Sequence, residues 1–564
     1  MKTKILGCLF TTAAALSMVS CSDFLDTTPT DSASDKLIWS KYEYAQLQAN
    51  YMYEDLNLIN GYGDGTGCTR DCFIGLSESL TELFKYGGYN YTSMNRIPSE
   101  FAYGTASTLT KSYVDSYLGC WGSMYRYIST ANQSISNLHK YGTFADEQKA
   151  EIEAEFRFFR AFYYFTLAKR YSKMILYTDN MEDYQKDHEA VGRTEVYEQI
   201  YQDLTFAGEH LPVSIKPNSR LTSGVAYALL SRAMLYAERW QDAKDAALKV
   251  MGMGYSMPAD LETPYTPGGE GAIFQFCFDL TAQTHQFDCY YSPGGDKAAF
   301  ANPVSGGYGC PTQEMVESFE QVTGGIPDWS PWHTAGGTQA TPPYDQLEPR
   351  FAHTVLYNGA DWKGRTIESF VGGADGWMEW MKQDMCEGKS TTSYYLRKRV
   401  DESNLFSNGS KCTKPFTFIR YAEVLLNYAE AANEAFGPKT AAPGTSLTAY
   451  SVIKSVRNLA GDIVSDPWID ECAADKDSFR KLVQNERRIE FAFENQRYFD
   501  MRRWLLPLDE DVYGVEITRE SDNTVSFNAK KVEARKYGVN SYYAPLPYTE
   551  IAKNPGLVNN IGWE

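Results

Sequence analysis

The chain has 564 residues, with 53 Lys and Arg against 72 Asp and Glu, a formal net charge of −19. A surface this acidic lacks the basic footprint that nucleic-acid phosphates require; it also disfavours strongly anionic polymers, so neutral ligands fit better. Aromatics make up 14% of residues, with 41 Tyr, more than an ordinary core absorbs; exposed Tyr and Trp bind sugars by stacking on pyranose CH faces while hydroxyls hydrogen-bond at the rim.

The N-terminus reads as an export leader. Lys2 and Lys4 precede an uncharged apolar run, Ile5 to Val19, too short to span a bilayer, and Ser20-Cys21 follows. Cys21 stands where a bacterial lipoprotein carries its lipid, although Met18 and Ser20 depart from the commonest residues of that signal. This gives a signal peptide over 1–20 and a lipidated, flexible tether over 21–35, with Asp23 and Asp26 keeping it polar. Losing Lys2 and Lys4 takes the net charge to −21. No other stretch is long and apolar enough to span a bilayer, so lipid alone is expected to hold the body at the membrane. Of 11 Cys, Cys8 leaves with the leader and Cys21 is modified, so the remainder form no disulfide-dense scaffold. Cys68 and Cys72 are close enough in sequence for a disulfide in an oxidising compartment, and zinc is disfavoured there because no second Cys or His pair lies nearby.

Helical periodicity appears over Lys36–Leu58 and Ser112–Lys173. In the second stretch Phe156, Phe159, Tyr163 and Leu167 share a face, while Glu151, Glu155, Arg157, Arg160 and Lys169 fall mainly elsewhere, which predicts one long amphipathic helix. Glu195–Leu211 reads as another helix. Thr222 caps a helix through Ala226, Leu229, Leu230, Ala233 and Met234; after a turn near Arg239 a second runs from Trp240 through Ala243, Ala246, Ala247 and Val250 to Gly252 and Gly254. Small facing residues make this a close hairpin of tetratricopeptide size, without strict self-similarity elsewhere in the chain.

From Tyr255 to Pro415 helical periodicity fades and Gly, Pro, Ser and Thr become frequent, giving a loop-rich insert over 255–414 with β-like runs such as Ala272–Phe278. Trp329, Trp332, Trp362, Trp377 and Trp380 cluster in it. Helices return over Phe418–Phe436, Leu447–Leu459 and Phe479–Trp504, the last stopped by Pro507, and Tyr542–Trp563 reads as extended.

Long loop-rich segments tend to carry function. Trp329 and Trp332, in the Pro-rich loop Ile326–His333, are therefore candidate ligand contacts. Tyr86, Tyr89 and Tyr91 form a second aromatic cluster and Tyr290 and Tyr291 a third; Asp64 and Arg70, in a glycine-rich loop, could hydrogen-bond sugar hydroxyls. Catalytic motifs are missing. A phosphate-binding loop ending at Gly388-Lys389-Ser390 needs glycine at the position of Gln383, and neither H-E-x-x-H nor G-x-S-x-G occurs. Glycoside hydrolysis needs two carboxylates at a set separation, and no motif nominates a pair among 72 acidic residues. No cofactor is expected; acidic loops leave calcium open, but no spaced ligand set supports it.

Six segments in order resemble the SusD-like (RagB/SusD) family of outer-membrane lipoproteins: Cys21–Asp26 (CSDFLD), Glu153–Phe165 (EAEFRFFRAFYYF), Pro311–Val316 (PTQEMV), Ile419–Ala431 (IRYAEVLLNYAEA), Glu486–Trp504 (ERRIEFAFENQRYFDMRRW) and Tyr543–Asn554 (YAPLPYTEIAKN). Asn495 replaces the family's usual glycine. The resemblance implies a mainly α fold, with four degenerate tetratricopeptide-like hairpins in a right-handed scaffold over about 36–254 and 415–510 and a variable part carrying a few short strands. It implies a place on the extracellular face of the outer membrane and a SusC-type TonB-dependent transporter as partner. It also implies capture of oligosaccharides by the variable part, without catalysis. A surface glycoside hydrolase and a peptide-binding importer subunit of the same fold stay open as alternatives. The acidic and basic residues of Glu486–Trp504 are expected to form structural ion pairs, with Glu494 and Arg497 spaced to pair directly.

Overall fold

The computed structural model describes residues 35–60, 77–86, 119–178, 189–215, 220–303, 306–330, 332, 342–376, 389–460, 463, 466–535, 537–560 and 562–563. Cys21 and its tether as far as residue 34, Asp64, Cys68, Arg70, Cys72, Tyr89, Tyr91, Trp377 and Trp380 lie outside these residues, while Asp35, the last tether residue, is helical.

The fold is mainly α. Helix α1 (Tyr42–Asn60) and strand β1 (Phe84–Tyr86) precede α2 (Trp121–Tyr141), α3 (Asp146–Ala168), α4 (Arg193–His210), α5 (Ser223–Tyr236) and α6 (Trp240–Met251). The insert holds β2 (Ala272–Phe276) and β3 (Gly309–Pro311). Strand β4 (Phe416–Arg420) leads into α7 (Tyr421–Phe436), then α8 (Ala449–Ala460), α9 (Lys476–Glu490), α10 (Arg497–Arg503) and the hairpin β5 (Asp511–Arg519)–β6 (Val525–Ala534).

From α2 to α6 each helix packs on its successor; α7 then packs on α6, and α8 and α9 on α7. The helical series thus continues across the insert as though consecutive in sequence. Strand β2 pairs antiparallel with β4, Ala272 opposite Arg420 and Phe276 opposite Phe416, which closes the insert at its base.

Where periodicity over 112–173 predicts one helix, there are two, packed side by side. The chain leaves α2 at Gly142 (ψ 121°) and is extended again at Ala145 (ψ 145°) before α3. Nor is α3 amphipathic: from Ile152 to Ala168 every residue but Arg157 is buried. Arg160 and Glu155, assigned by pattern to an outer face, are each 1% exposed. They are buried because they are paired. Arg160 Nε and Nη2 donate to Asp203 of α4 (2.8 and 2.6 Å) and Nη1 to Asn132 of α2 (2.6 Å), so one guanidinium joins three helices. Glu155 accepts from Arg220 Nε at 2.7 Å. Phe158 and Phe162 meet Phe274 of β2 and Phe418 of β4 edge to face, at 5.9 Å in each case.

The α5–α6 hairpin forms as the sequence predicts. Thr222 accepts a hydrogen bond from the Val225 N–H, and Ala226, Ala233, Ala243, Ala246 and Ala247 are buried between neighbours. Gly208 of α4 lets α5 close in, since a Cβ there would lie 2.5 Å from the Tyr227 ring.

The C-terminal half departs more from the pattern reading. The helix predicted over 479–504 breaks after Glu490: Phe493 and Asn495 both take φ 61°, and α10 restarts at Arg497. Asn tolerates this left-handed conformation better than most residues, which accounts for Asn495 where the resembled family has glycine. The helix predicted from Phe418 begins at Tyr421 because 416–420 is strand β4. The tail read as extended contains a short helix, Tyr548–Lys553. The β5–β6 hairpin docks on the insert, with Val371 N–H donating to Ile517 O (2.8 Å) and Val515 N–H to Thr392 O (3.0 Å).

Candidate functional site

The structure corrects three of the nominated aromatics. Trp329 and Trp332 are only 6% and 5% exposed, with rings 6.0 Å apart at 82°, inside the main core cluster. Their Pro-rich loop folds the indoles inward, because burying so much apolar ring surface outweighs the polarity of the flanking residues. They are core residues in this structure. Tyr291 is fully buried, its ring centroid 4.5 Å from that of Phe287. Trp362, also buried, donates its Nε1–H to Asp296.

The other two clusters converge. Strand β1 pairs antiparallel with β3, Phe84 opposite Pro311, Lys85 opposite Cys310 and Tyr86 opposite Gly309. The residue before Gly309 is Tyr308, whose N–H donates to Tyr290 O at 3.0 Å and whose ring meets Tyr290 edge to face at 4.9 Å. Tyr290 and Tyr308 are both half-buried. So the backbone of Tyr86 and the rings of Tyr290 and Tyr308 are brought to one edge of the insert by segments more than 200 residues apart in the chain. Glycine at 309 is what allows the strands to meet there, since a Cβ would lie 2.6 Å from Tyr291 and 2.7 Å from Phe84. Sequence reasoning missed Tyr308, although its setting in Gly306-Gly307-Tyr308-Gly309, an aromatic held among glycines, is a signal that could have nominated it.

The edge is pinned from behind by charge. Lys85, 2% exposed, pairs with Glu533 of β6 (3.2 Å), and Arg535 donates to Phe84 O (2.8 Å). Burial alone would raise the Glu533 pKa, yet Arg535 and Lys85 outweigh it and hold the carboxyl at about 2. Thr312 N–H donates to Leu83 O at 3.1 Å, continuing the β1–β3 ladder.

Most acidic and basic residues of Glu486–Trp504 are paired as expected, Asp500 with Arg487 (3.1 Å) and Arg503 (2.8 Å) inside the segment and Glu486, Glu490 and Glu494 with partners distant in sequence. Arg350 of the insert donates to Glu486 (2.6 Å) and Glu490 (2.8 Å). Arg420 donates to Glu490 (2.5 Å) and to both oxygens of Glu494 (2.9 Å each), and Lys398 to Glu494 (2.7 Å). The expected Glu494–Arg497 pair does not form, because the break between α9 and α10 separates the two; Arg497 pairs with Glu82 at 2.6 Å instead. This buried network clamps the insert to the helical scaffold.

Two clefts are lined largely by residues already bonded to one another. One, of only about 30 Å³, is walled by Arg350, Lys398, Arg420 and Glu490 of that network. A larger open cleft of about 280 Å³ lies between α1, the start of α5 and β2, lined by Tyr53, Tyr255, Arg220 and Gln275. Three of its polar side chains are committed, and the exposed thiol of Cys277 also lines it. The Tyr53 hydroxyl accepts from Leu221 N–H, Arg220 holds Glu155 and Asn50, and Gln275 donates to Pro264 O, Thr266 O and Thr417.

A family model described as the SusD family matches residues 270–563, and a second, described as starch-binding associating with outer membrane, matches residues 80–235. A SusD-like protein P2 of Formosa agariphila is 25% identical over 563 residues, covering 97% of this chain and 98% of the relative. Among solved structures, a SusD-like protein of Bacteroides fragilis superposes with a TM-score of 0.74 at 24% identity, covering 95% of this chain and 99% of that one. A SusD-like carbohydrate binding protein of the same organism gives a TM-score of 0.74 at 19% identity, covering 92% and 100%. With the SusD model matched over just more than half of its 564 residues, the chain belongs to the SusD family.

Proposed function

We propose that the protein is a cell-surface lipoprotein, anchored through Cys21, that captures neutral oligosaccharides and passes them to a SusC-type TonB-dependent transporter in the outer membrane. The observation that carries the reading is the aromatic edge at Tyr290 and Tyr308, joined to the Tyr86 strand, in a chain of a carbohydrate-binding family. Two half-buried rings near a right angle (78°) offer a corner against which the CH surface of a pyranose can stack. The net charge of −19 favours a neutral sugar over an acidic one.

Binding involves no chemical step. The carboxylates of Glu486, Glu490 and Glu494 are each held by buried cations, which makes them structural groups rather than a hydrolytic acid–base pair. Electrophoresis of the purified protein in native gels cast with neutral polysaccharides tests the reading. Retarded migration, with no new reducing ends after incubation, is expected. Unretarded migration across a broad panel would refute glycan capture, and new reducing ends would turn the reading to a hydrolase.

A further inference from the structure

We propose that Cys289 and Cys412 form a disulfide in the mature protein, stapling the aromatic edge to the base of the insert. The two residues are 123 positions apart in the chain, yet they are packed together in a small buried cluster with Phe406, against Phe300. Cys289 is 0% and Cys412 2% exposed. The backbone brings them there independently of the sulfurs. His285 and Cys412 exchange both of their main-chain hydrogen bonds (3.0 and 2.9 Å), and Cys289 follows one helical turn later, in the short helix Phe287–Tyr291. Both cysteines are free thiols here; Cys412 Sγ donates to Ser410 O (3.6 Å) and accepts from Asn404 Nδ2 (3.5 Å), and the Cys289 thiol, then burial, push the Cys412 thiol above its ordinary range.

Metal binding does not explain the pair. Both ring nitrogens of the adjacent His285 are committed, Nε2 to Lys414 O (2.9 Å) and Nδ1 accepting from Phe287 N–H (3.1 Å). Cys310, by contrast, has no thiol beside it in its contacts: its sulfur meets Gly307 O and the Ser390 hydroxyl.

The chemistry is thiol–disulfide exchange with a disulfide-bearing oxidant of the cell envelope. One cysteine thiolate attacks the oxidant's disulfide, forming a mixed disulfide and releasing one thiolate. The second cysteine attacks that mixed disulfide and releases the other. The protein loses two protons and two electrons, and the oxidant's disulfide becomes two thiols. Burial and the high Cys412 pKa suppress thiolate once the fold is complete, so the bond forms during folding and is shielded afterwards. Cys289 directly precedes Tyr290, and Cys412 lies four residues before β4. The bond would therefore tie the Tyr290–Tyr308 edge covalently to the strand that enters the scaffold.

The inference about the compartment rests on the export reading above, and the test separates the two. The full chain with its leader is expressed in a Gram-negative host, recovered from the outer-membrane fraction, denatured with N-ethylmaleimide and no reductant, digested and examined by mass spectrometry. A peptide pair joined through Cys289 and Cys412, lighter by two hydrogens and split by reductant, is expected; maleimide on both cysteines would overturn the inference. In parallel, the purified chain is unfolded, reduced and refolded in a mixture of reduced and oxidised glutathione, where the same linked pair is expected. Absence of the chain from the outer membrane would defeat the export reading alone, because the refolding arm still decides the disulfide: two thiols, or two glutathione adducts, at 289 and 412 would refute it.

Discussion

Replacing Arg420 by Met tests the clamp between insert and scaffold. Methionine occupies the volume of the arginine stem, so the loss is mainly electrostatic. Arg420 is 5% exposed and serves two buried carboxylates, Glu490 and Glu494. Burial would raise the Glu490 pKa; Arg420, Arg350 and Lys398 outweigh it and hold it at about 2. Holding the carboxyl there, rather than at its ordinary 4.5, corresponds to roughly 3 kcal/mol of preference for the ionised form. Glu494 is depressed as well, by Arg420 and then Lys398 against its burial. Without Arg420 each carboxylate keeps one cation, Arg350 or Lys398. Removing one partner of a buried ion pair costs about 3–5 kcal/mol, so Arg420→Met should lose about that much at pH 7. The sign with pH follows from the depressed pKa values: this stability is present above the unfolded value of 4.5 and is lost as pH falls through about 2. Urea unfolding followed by circular dichroism at pH 7 and pH 3 should show a large gap between variant and wild type that narrows in acid. A gap under about 1 kcal/mol at pH 7, or one independent of pH, would refute the reasoning.

Four further outcomes are expected. Tyr290→Ala and Tyr308→Ala should each weaken oligosaccharide binding by about tenfold, the loss of one stacked ring, with unchanged circular dichroism; unaltered affinity would remove these rings from the site. Trp329→Ala should instead cost roughly 3–5 kcal/mol of stability as a core cavity and leave the affinity of folded protein intact, so a selective affinity loss would restore it as a ligand contact. Burial, then the neighbouring Glu82, push Glu78 up to about 8, so its favourable contribution is complete below 4.5 and is lost as pH rises through 8. Glu78→Gln should therefore match wild type near pH 4 and exceed it by roughly 3 kcal/mol at pH 7, and urea midpoints that coincide at both values would contradict this. Cys21→Ala should move the protein from membrane to soluble fractions without changing its glycan affinity; weaker binding in solution would mean that tether and binding body are not separate.

Local chemistry was the legible part of the sequence. Thr222 caps α5, the alanines of α5 and α6 pack closely, and the motif charges are paired, because capping, small-residue packing and charge burial act through residue type at short range. What escaped is set by contacts distant along the chain. Arg160 looks like a surface charge until Asp203 and Asn132 are seen around it, and Glu494 finds Arg420 rather than Arg497 because the helix breaks between them. The β5–β6 hairpin does carry a local signal, since Val515 and Ile517 alternate as a half-buried strand does and Ser521-Asp522-Asn523 marks its turn. At the site, a Pro-rich loop suggested exposed tryptophans, but loop composition does not fix which way a ring turns, and Trp329 and Trp332 turn inward. The Tyr290–Tyr308 contact required the β1–β3 pairing, which no local pattern encodes.

The central claim is that the Tyr290–Tyr308 edge binds neutral glycan. Isothermal titration of the wild type and of the Tyr290→Ala/Tyr308→Ala double variant against a panel of neutral oligosaccharides tests it most directly. The account predicts saturable binding of at least one oligosaccharide by the wild type and its loss in a folded double variant. No binding across the panel, or equal binding by both proteins, would contradict it.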